Sequence, residues 1–111
     1  NLILKRNFDI ITNVNPRTYP KGLTCEVAKT IIFKNLNQKK ILKKDKEHIF
    51  NYFYRKKNFK IYNLDSKFSK KFINKNFCID TKKDFHKIRK IFLKFSKIKK
   101  KITVDTLYKF N

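Results

Sequence analysis

A chain of 111 residues, 41% of them hydrophobic and 15% aromatic, has room for one domain with a modest core, and a composition this apolar excludes a disordered basic tail. A formal net charge of +22 points first to a nucleic-acid partner, through phosphate neutralisation and counterion release. Two features weaken that inference. Lys, Asn, Ile and Phe supply more than half of the residues, and all four are encoded by A/T-rich codons, so genomic drift alone can raise the charge. Arg is scarce beside Lys, although sites that grip phosphate or guanine bidentately favour the guanidinium. No apolar stretch approaches the roughly 20 residues that span a bilayer and no signal-like segment opens the chain, so no membrane partner and a cytoplasmic location are expected.

In chain order, FDIITNV (8–14) is β-branched and apolar, as a buried strand requires. NPRTYPKG (15–22) follows, and both prolines and the only glycine of the chain fall within it. That composition predicts one specific loop, either placed for a purpose or a plain strand connection. LTCEVA (23–28) reads as a short strand with Glu26 opposite its apolar neighbours, and KTIIFKNLNQKK (29–40) as a helix. DKEHIFNYFYRK (45–56) predicts a helix capped by Asp45, with Ile49, Phe50, Phe53 and Tyr54 at helical spacing. FKIYNL (59–64) alternates as a strand does, and NFCID (76–80) predicts another. TKKDFHKIRKIFLKF (81–95) is the clearest helix, with Phe85, Ile88, Ile91, Phe92 and Phe95 on one apolar stripe, and ITVDTLYKF (102–110) predicts a short closing helix. Alternating strands and helices without repeats indicate an α/β layer.

Thr81 followed three residues later by Asp84 is a capping-box pattern, which assigns both to the helix start. Asp80, one position earlier at the end of a predicted strand, has no such assignment. In open α/β sheets that edge is where ligands bind, and a carboxylate there suits a divalent cation held against phosphate oxygens. The alternative is a solvated Asp beside Lys82 and Lys83. Arg17, one of four arginines, offers a fork to phosphate or carboxylate from the proline-rich loop, or is simply exposed. Glu47 and His48 open a helix whose other face is apolar, where His48 is either a packed imidazole or a functional one. Cys25 and Cys78 lie far apart without metal-ligand spacing and read as buried free thiols. Phosphate-binding glycine loops and nucleophile elbows are absent from the sequence.

Taken together, the segments resemble the cytidylyltransferase-like nucleotidyltransferases of spore-coat polysaccharide biosynthesis, related to the synthases of CMP-activated sugar acids. FDIITNVNPRTYPKGLTCEV is similar to a family stretch in which a strand ends in Asn, a P-R-T-Y-P-x-G loop follows and a G-L-D-V-E-V strand comes next. DKEHIFNYFYRKKNFKIYNL resembles an R-E-H-V helix and the strand after it. FCIDTKKDFHKIRKIF resembles the T-V-D-T-P-E-D-L segment, and ITVDTLYKF the short terminal helix. Thr24, Lys46, Lys82 and Asn76 depart from the family pattern, standing where it carries an acid, Arg, Pro and Arg.

The resemblance implies the C-terminal half of a Rossmann-like nucleotide-diphospho-sugar transferase fold, a mixed sheet flanked by helices, over residues 1–111 as a single partial domain. It implies coupling of a sugar or sugar acid to CTP with release of pyrophosphate and Mg2+ as cofactor. Asp80 matches the Asp of D-T-P-E-D, a metal ligand in related synthases, and Arg17, Glu26, Glu47 and His48 match positions near the sugar. The family's basic A-R-x-x-S-x-R-L-P-x-K loop, which binds the CTP phosphates, has no counterpart in this sequence, so the chain alone is expected to be inactive. A homodimer is compatible with this reading, and no specific nucleic acid is expected. The alternative is a small basic RNA-binding or ribosomal protein.

Overall fold

The structure is a computed structural model and describes residues 6–36 and 41–110. The chain divides into two compact units, the first formed by residues 1–16 and 25–65, the second by 17–24 and 66–111. Each has its own apolar core.

The first unit is α/β. Its three strands are β1 (Ile10–Thr12), β2 (Glu26–Ala28) and β3 (Ile61–Asn63), in the order β2-β1-β3. β1 pairs antiparallel with β2 and parallel with β3, so the sheet is small and mixed. All three residues of β1 are buried, as the β-branched run predicts for a central strand covered on both faces. At its start, Asp9 ties the neighbours together. Its carboxylate accepts the Lys60 N–H at 2.9 Å and pairs with Lys29 at 3.4 Å, and its carbonyl accepts the Lys29 N–H at 2.9 Å.

Helices α1 (Thr30–Lys34), α2 (Lys43–Glu47) and α3 (Ile49–Arg55) complete this unit. The helix predicted over 29–40 is short, and positions 37–40 lie outside the described residues. Phe53 of α3, fully buried, centres the core with Ile10 and Ile32. The rings of Phe33 and Phe59 meet it edge-on at 5.2 and 5.1 Å, a geometry that sets ring edge against ring face.

One helix over 45–56 is not what forms. The chain breaks at His48 (φ −127°, ψ 70°) into α2 and α3, and α2 begins after Leu42 without a side-chain cap. Asp45 is therefore not a cap. It lies inside α2, only 1% exposed, and receives the Arg55 guanidinium through both carboxylate oxygens, with the Nη1–Oδ1 arm at 2.8 Å. A carboxylate shielded from water needs such a counter-charge, and the fork holds the Asp45 carboxyl below its ordinary range.

The second unit contains α4 (Lys70–Ile73), α5 (Lys82–Lys97) and α6 (Val104–Lys109) around Phe72, Phe95 and Leu107. The predicted capping box at Thr81 and Asp84 is present, and its hydrogen bond to Thr81 keeps the Asp84 carboxyl below its usual range. Thr103 and Thr106 form a second box at α6, where a hydroxyl replaces the customary Glu or Gln. The predicted α5 stripe is narrower than expected. Phe95 is buried and Ile88 and Ile91 are partly covered, whereas Phe85 and Phe92 remain 50% and 59% exposed.

NFCID is not a strand. A single bridge joins Asn76 to Lys21, and the Asn76 side chain takes the Cys78 N–H at 2.9 Å, a donor that a continued ladder would use. The proline-rich loop is fastened at this bridge: the Lys21 N–H bonds Lys75 at 3.2 Å, and its carbonyl receives the Phe77 N–H at 2.8 Å. Gly22 has φ +85°, and a Cβ there would meet the Phe77 carbonyl carbon at 2.6 Å and the Cys78 nitrogen at 2.7 Å. Glycine is required here by conformation and by space. The thiols also differ from expectation, since Cys25 is exposed and Cys78 only partly covered, although both are free.

Candidate functional site

In the first unit the parallel pair brings the carboxyl ends of β1 and β3 side by side, with the start of antiparallel β2 on the other flank. Thr12 stands in register with Glu26 on one side and Asn63 on the other. Register partners share a sheet face, so these three polar side chains form one row at the edge of the sheet.

Tyr54 reaches the row from α3. Its hydroxyl donates to the Glu26 carboxylate, and its oxygen lies 2.9 Å from Thr12 Oγ1. A phenol has one proton, so with that proton on Glu26 the Thr12 hydroxyl donates to Tyr54, while Thr12 Oγ1 accepts the Val14 N–H at 3.1 Å. Burial, with the Glu26 bond second, pushes the Tyr54 pKa well above its ordinary value, so the phenol stays neutral. Asn13, 4% exposed, fixes the strand exit by accepting the Cys25 N–H on its side-chain oxygen at 2.8 Å.

Asn63 Oδ1 differs from its neighbours in the row: it is buried and has no hydrogen-bond partner in the described chain. A shielded acceptor left unpaired costs about 1–3 kcal/mol. Its chemical complement is a hydroxyl or N–H donor from outside the chain, and Glu26, exposed at the other end of the row, is a second acceptor facing solvent.

Of the residues singled out in the sequence, only Glu26 stands in this row. Glu47 and His48 are in the same unit and exposed, Glu47 ending α2 and His48 giving its carbonyl to the Asn51 N–H at 3.0 Å. Arg17 and Asp80 belong to the second unit, where both are exposed. Asp80 precedes the Thr81 cap and ends a loop rather than a strand. The eight acids fall into two groups. Asp9, Glu26, Asp45, Asp84 and Asp105 bond protein groups, whereas the carboxylates of Glu47, Asp65 and Asp80 have no partner among the described residues.

Among the described residues no three His, Cys, Asp or Glu side chains gather as a protein-only metal site would require. Asp80 is an exposed carboxylate without a partner among the described residues, a state it shares with Glu47.

Thr12, Asn13, Tyr54 and Asn63 were not marked from the sequence as site residues. Polar residues closing an apolar strand were the available signal at Thr12, Asn13 and Asn63, while Tyr54 carried none, being spaced like a core residue. None of the described helices is long and apolar enough to cross a membrane. Searches of protein-family models, curated proteins and solved structures found no match to this chain.

Proposed function

We propose that this chain is the sugar-side, metal-completing half of a CTP-dependent nucleotidyltransferase that forms a CMP-activated sugar for surface polysaccharide biosynthesis, acting in the cytoplasm. The observation that carries the reading is the polar row at the carboxyl edge of the sheet, with the buried, unpartnered Asn63 Oδ1 beside Thr12 and the exposed Glu26. A polyhydroxylated acceptor supplies the donors that such a row lacks. The ordered resemblance of four sequence blocks supports the same assignment, and the wider Rossmann-like fold belongs to this proposal.

In this reading Asn63 and Glu26 accept sugar hydroxyls, and Tyr54, kept neutral, holds the Glu26 carboxylate in place. The resemblance assigns Glu47 and His48, and Arg17 of the second unit, to the sugar side as well. Asp80 would hold magnesium, which neutralises charge on the phosphate being transferred. The nucleotide's phosphates need groups that residues 1–111 do not supply.

The test is a 15N NMR titration of the chain with a panel of sugar acids, with and without CMP. Shifts concentrated at the amides of Thr12, Glu26 and Asn63, and lost in Asn63→Ala, are expected. If every sugar acid leaves those amides unmoved at millimolar concentration, the sugar-side reading is wrong.

A further inference from the structure

The chain carries thirty cations against eight acids, yet the Glu26 carboxylate has no cationic partner among the described residues. Three cations close in sequence to the residues of the row are committed elsewhere. Lys29 pairs with Asp9 at 3.4 Å, Arg55 forks onto Asp45, and Lys56 lies over the Tyr52 ring at 5.5 Å. What Glu26 does meet is the Tyr54 phenol, which burial keeps neutral. An exposed negative charge at the edge of the sheet is therefore left without its complement.

The protons of the row run towards that charge. Thr12 Oγ1 accepts the Val14 N–H at 3.1 Å, the Thr12 hydroxyl donates to Tyr54, and Tyr54 donates to Glu26. Neither hydroxyl proton is left for Asn63 Oδ1, buried one strand beyond Thr12. Neighbouring strands are about 4.8 Å apart, so Glu26 and Asn63 stand about 10 Å apart at the backbone, and the tie through Tyr54 draws the carboxylate in towards Thr12. A ligand settling across this span meets two acceptors, one of them charged, and no free hydroxyl. An ammonium offers donors and no acceptor, which is the complement of such a surface, whereas a carboxylate would face Glu26 charge to charge.

We infer that the row binds its ligand through a protonated amine, so that the sugar it selects is an amino sugar. The inference rests on the sugar-side reading and narrows it: among the donors that Glu26 and Asn63 accept, one is an ammonium, and any carboxylate of the sugar points away from Glu26.

The experiment is a 15N NMR titration of the chain with glucosamine, glucose and glucuronate at about pH 6, where an amine is protonated, and about 150 mM salt. The net charge of +22 repels cations and attracts anions over the whole surface, so a preference for the amine has to arise locally. Glucosamine should shift the amides of Thr12, Glu26 and Asn63 with an affinity at least about threefold above that of glucose, as an exposed ion pair provides, and glucuronate should bind no tighter than glucose. In Glu26→Gln the ratio of glucosamine to glucose affinity should fall to about one. Circular dichroism checks that the variant folds, and the comparison of the three sugars on the unaltered chain stands if it does not. Glucose or glucuronate binding as tightly as glucosamine, or a preference that survives in folded Glu26→Gln, would overturn this inference and leave the sugar-side reading in place. Row amides unmoved by all three sugars would overturn both.

Discussion

Gly22→Ala should loosen the loop that presents Arg17. Two costs add. A residue with a Cβ at φ +85° gives up about 1–2 kcal/mol in backbone strain. The new methyl would also sit 2.6 Å from the Phe77 carbonyl carbon and 2.7 Å from the Cys78 nitrogen, so the two strands of backbone must separate. Separation weakens the bonds between Lys21 N–H and Lys75 and between Phe77 N–H and Lys21, now 3.2 and 2.8 Å, each of which contributes about 1 kcal/mol. The expected loss is about 3 kcal/mol, a large share of the roughly 5–15 kcal/mol by which domains of this kind are stable. Urea unfolding followed by circular dichroism measures it, because the chain has no tryptophan. Lys21→Ala, which keeps every backbone bond, serves as the control and should change stability by less than about 0.5 kcal/mol. A Gly22→Ala chain as stable as the unaltered one would refute the close approach and the requirement for glycine.

Tyr54→Phe should cost about 1–3 kcal/mol in the same urea assay, because the buried Thr12 hydroxyl loses its acceptor; a variant at least as stable as the parent would show that the row is not coupled in this way. The Asp45 carboxyl is depressed below its ordinary 3.8 in the folded chain, so its contribution is complete above about pH 4 and is lost as pH falls through the folded value. Asp45→Asn should therefore flatten the fall in urea midpoint between about pH 4 and pH 2, and an unchanged acid limb would count against the pair. In an active chimera bearing the N-terminal half of a family member, Asp80→Asn should leave stability within about 0.5 kcal/mol and reduce magnesium-dependent CMP transfer on the order of 100-fold. Normal transfer there would return Asp80 to the role of a solvated surface charge.

By itself the sequence determined those features whose partners are neighbours along the chain. Thr81 and Asp84 are three residues apart, so their capping box follows from the local backbone of a helix start. The β-branched run at Ile10–Thr12 and the apolar period of α5 likewise declare strand and helix, and the clustering of both prolines and the glycine declares the loop. The tertiary structure decided everything that depends on residues distant in sequence. Asp45 could cap a helix or pair with Arg55, and only the break at His48 and the burial of its carboxylate choose the pair. NFCID has strand composition, yet with only a loop beside it the Asn76 side chain satisfies Cys78 and a single bridge forms. Thr12, Glu26 and Asn63 become one row because β1 accepts an antiparallel partner on one edge and a parallel one on the other. Strand pairing is a choice among backbone donors and acceptors that are chemically alike at every position, so local composition cannot specify it; shared burial of Ile10, Ile32 and Phe53 selects the pairing that closes the core.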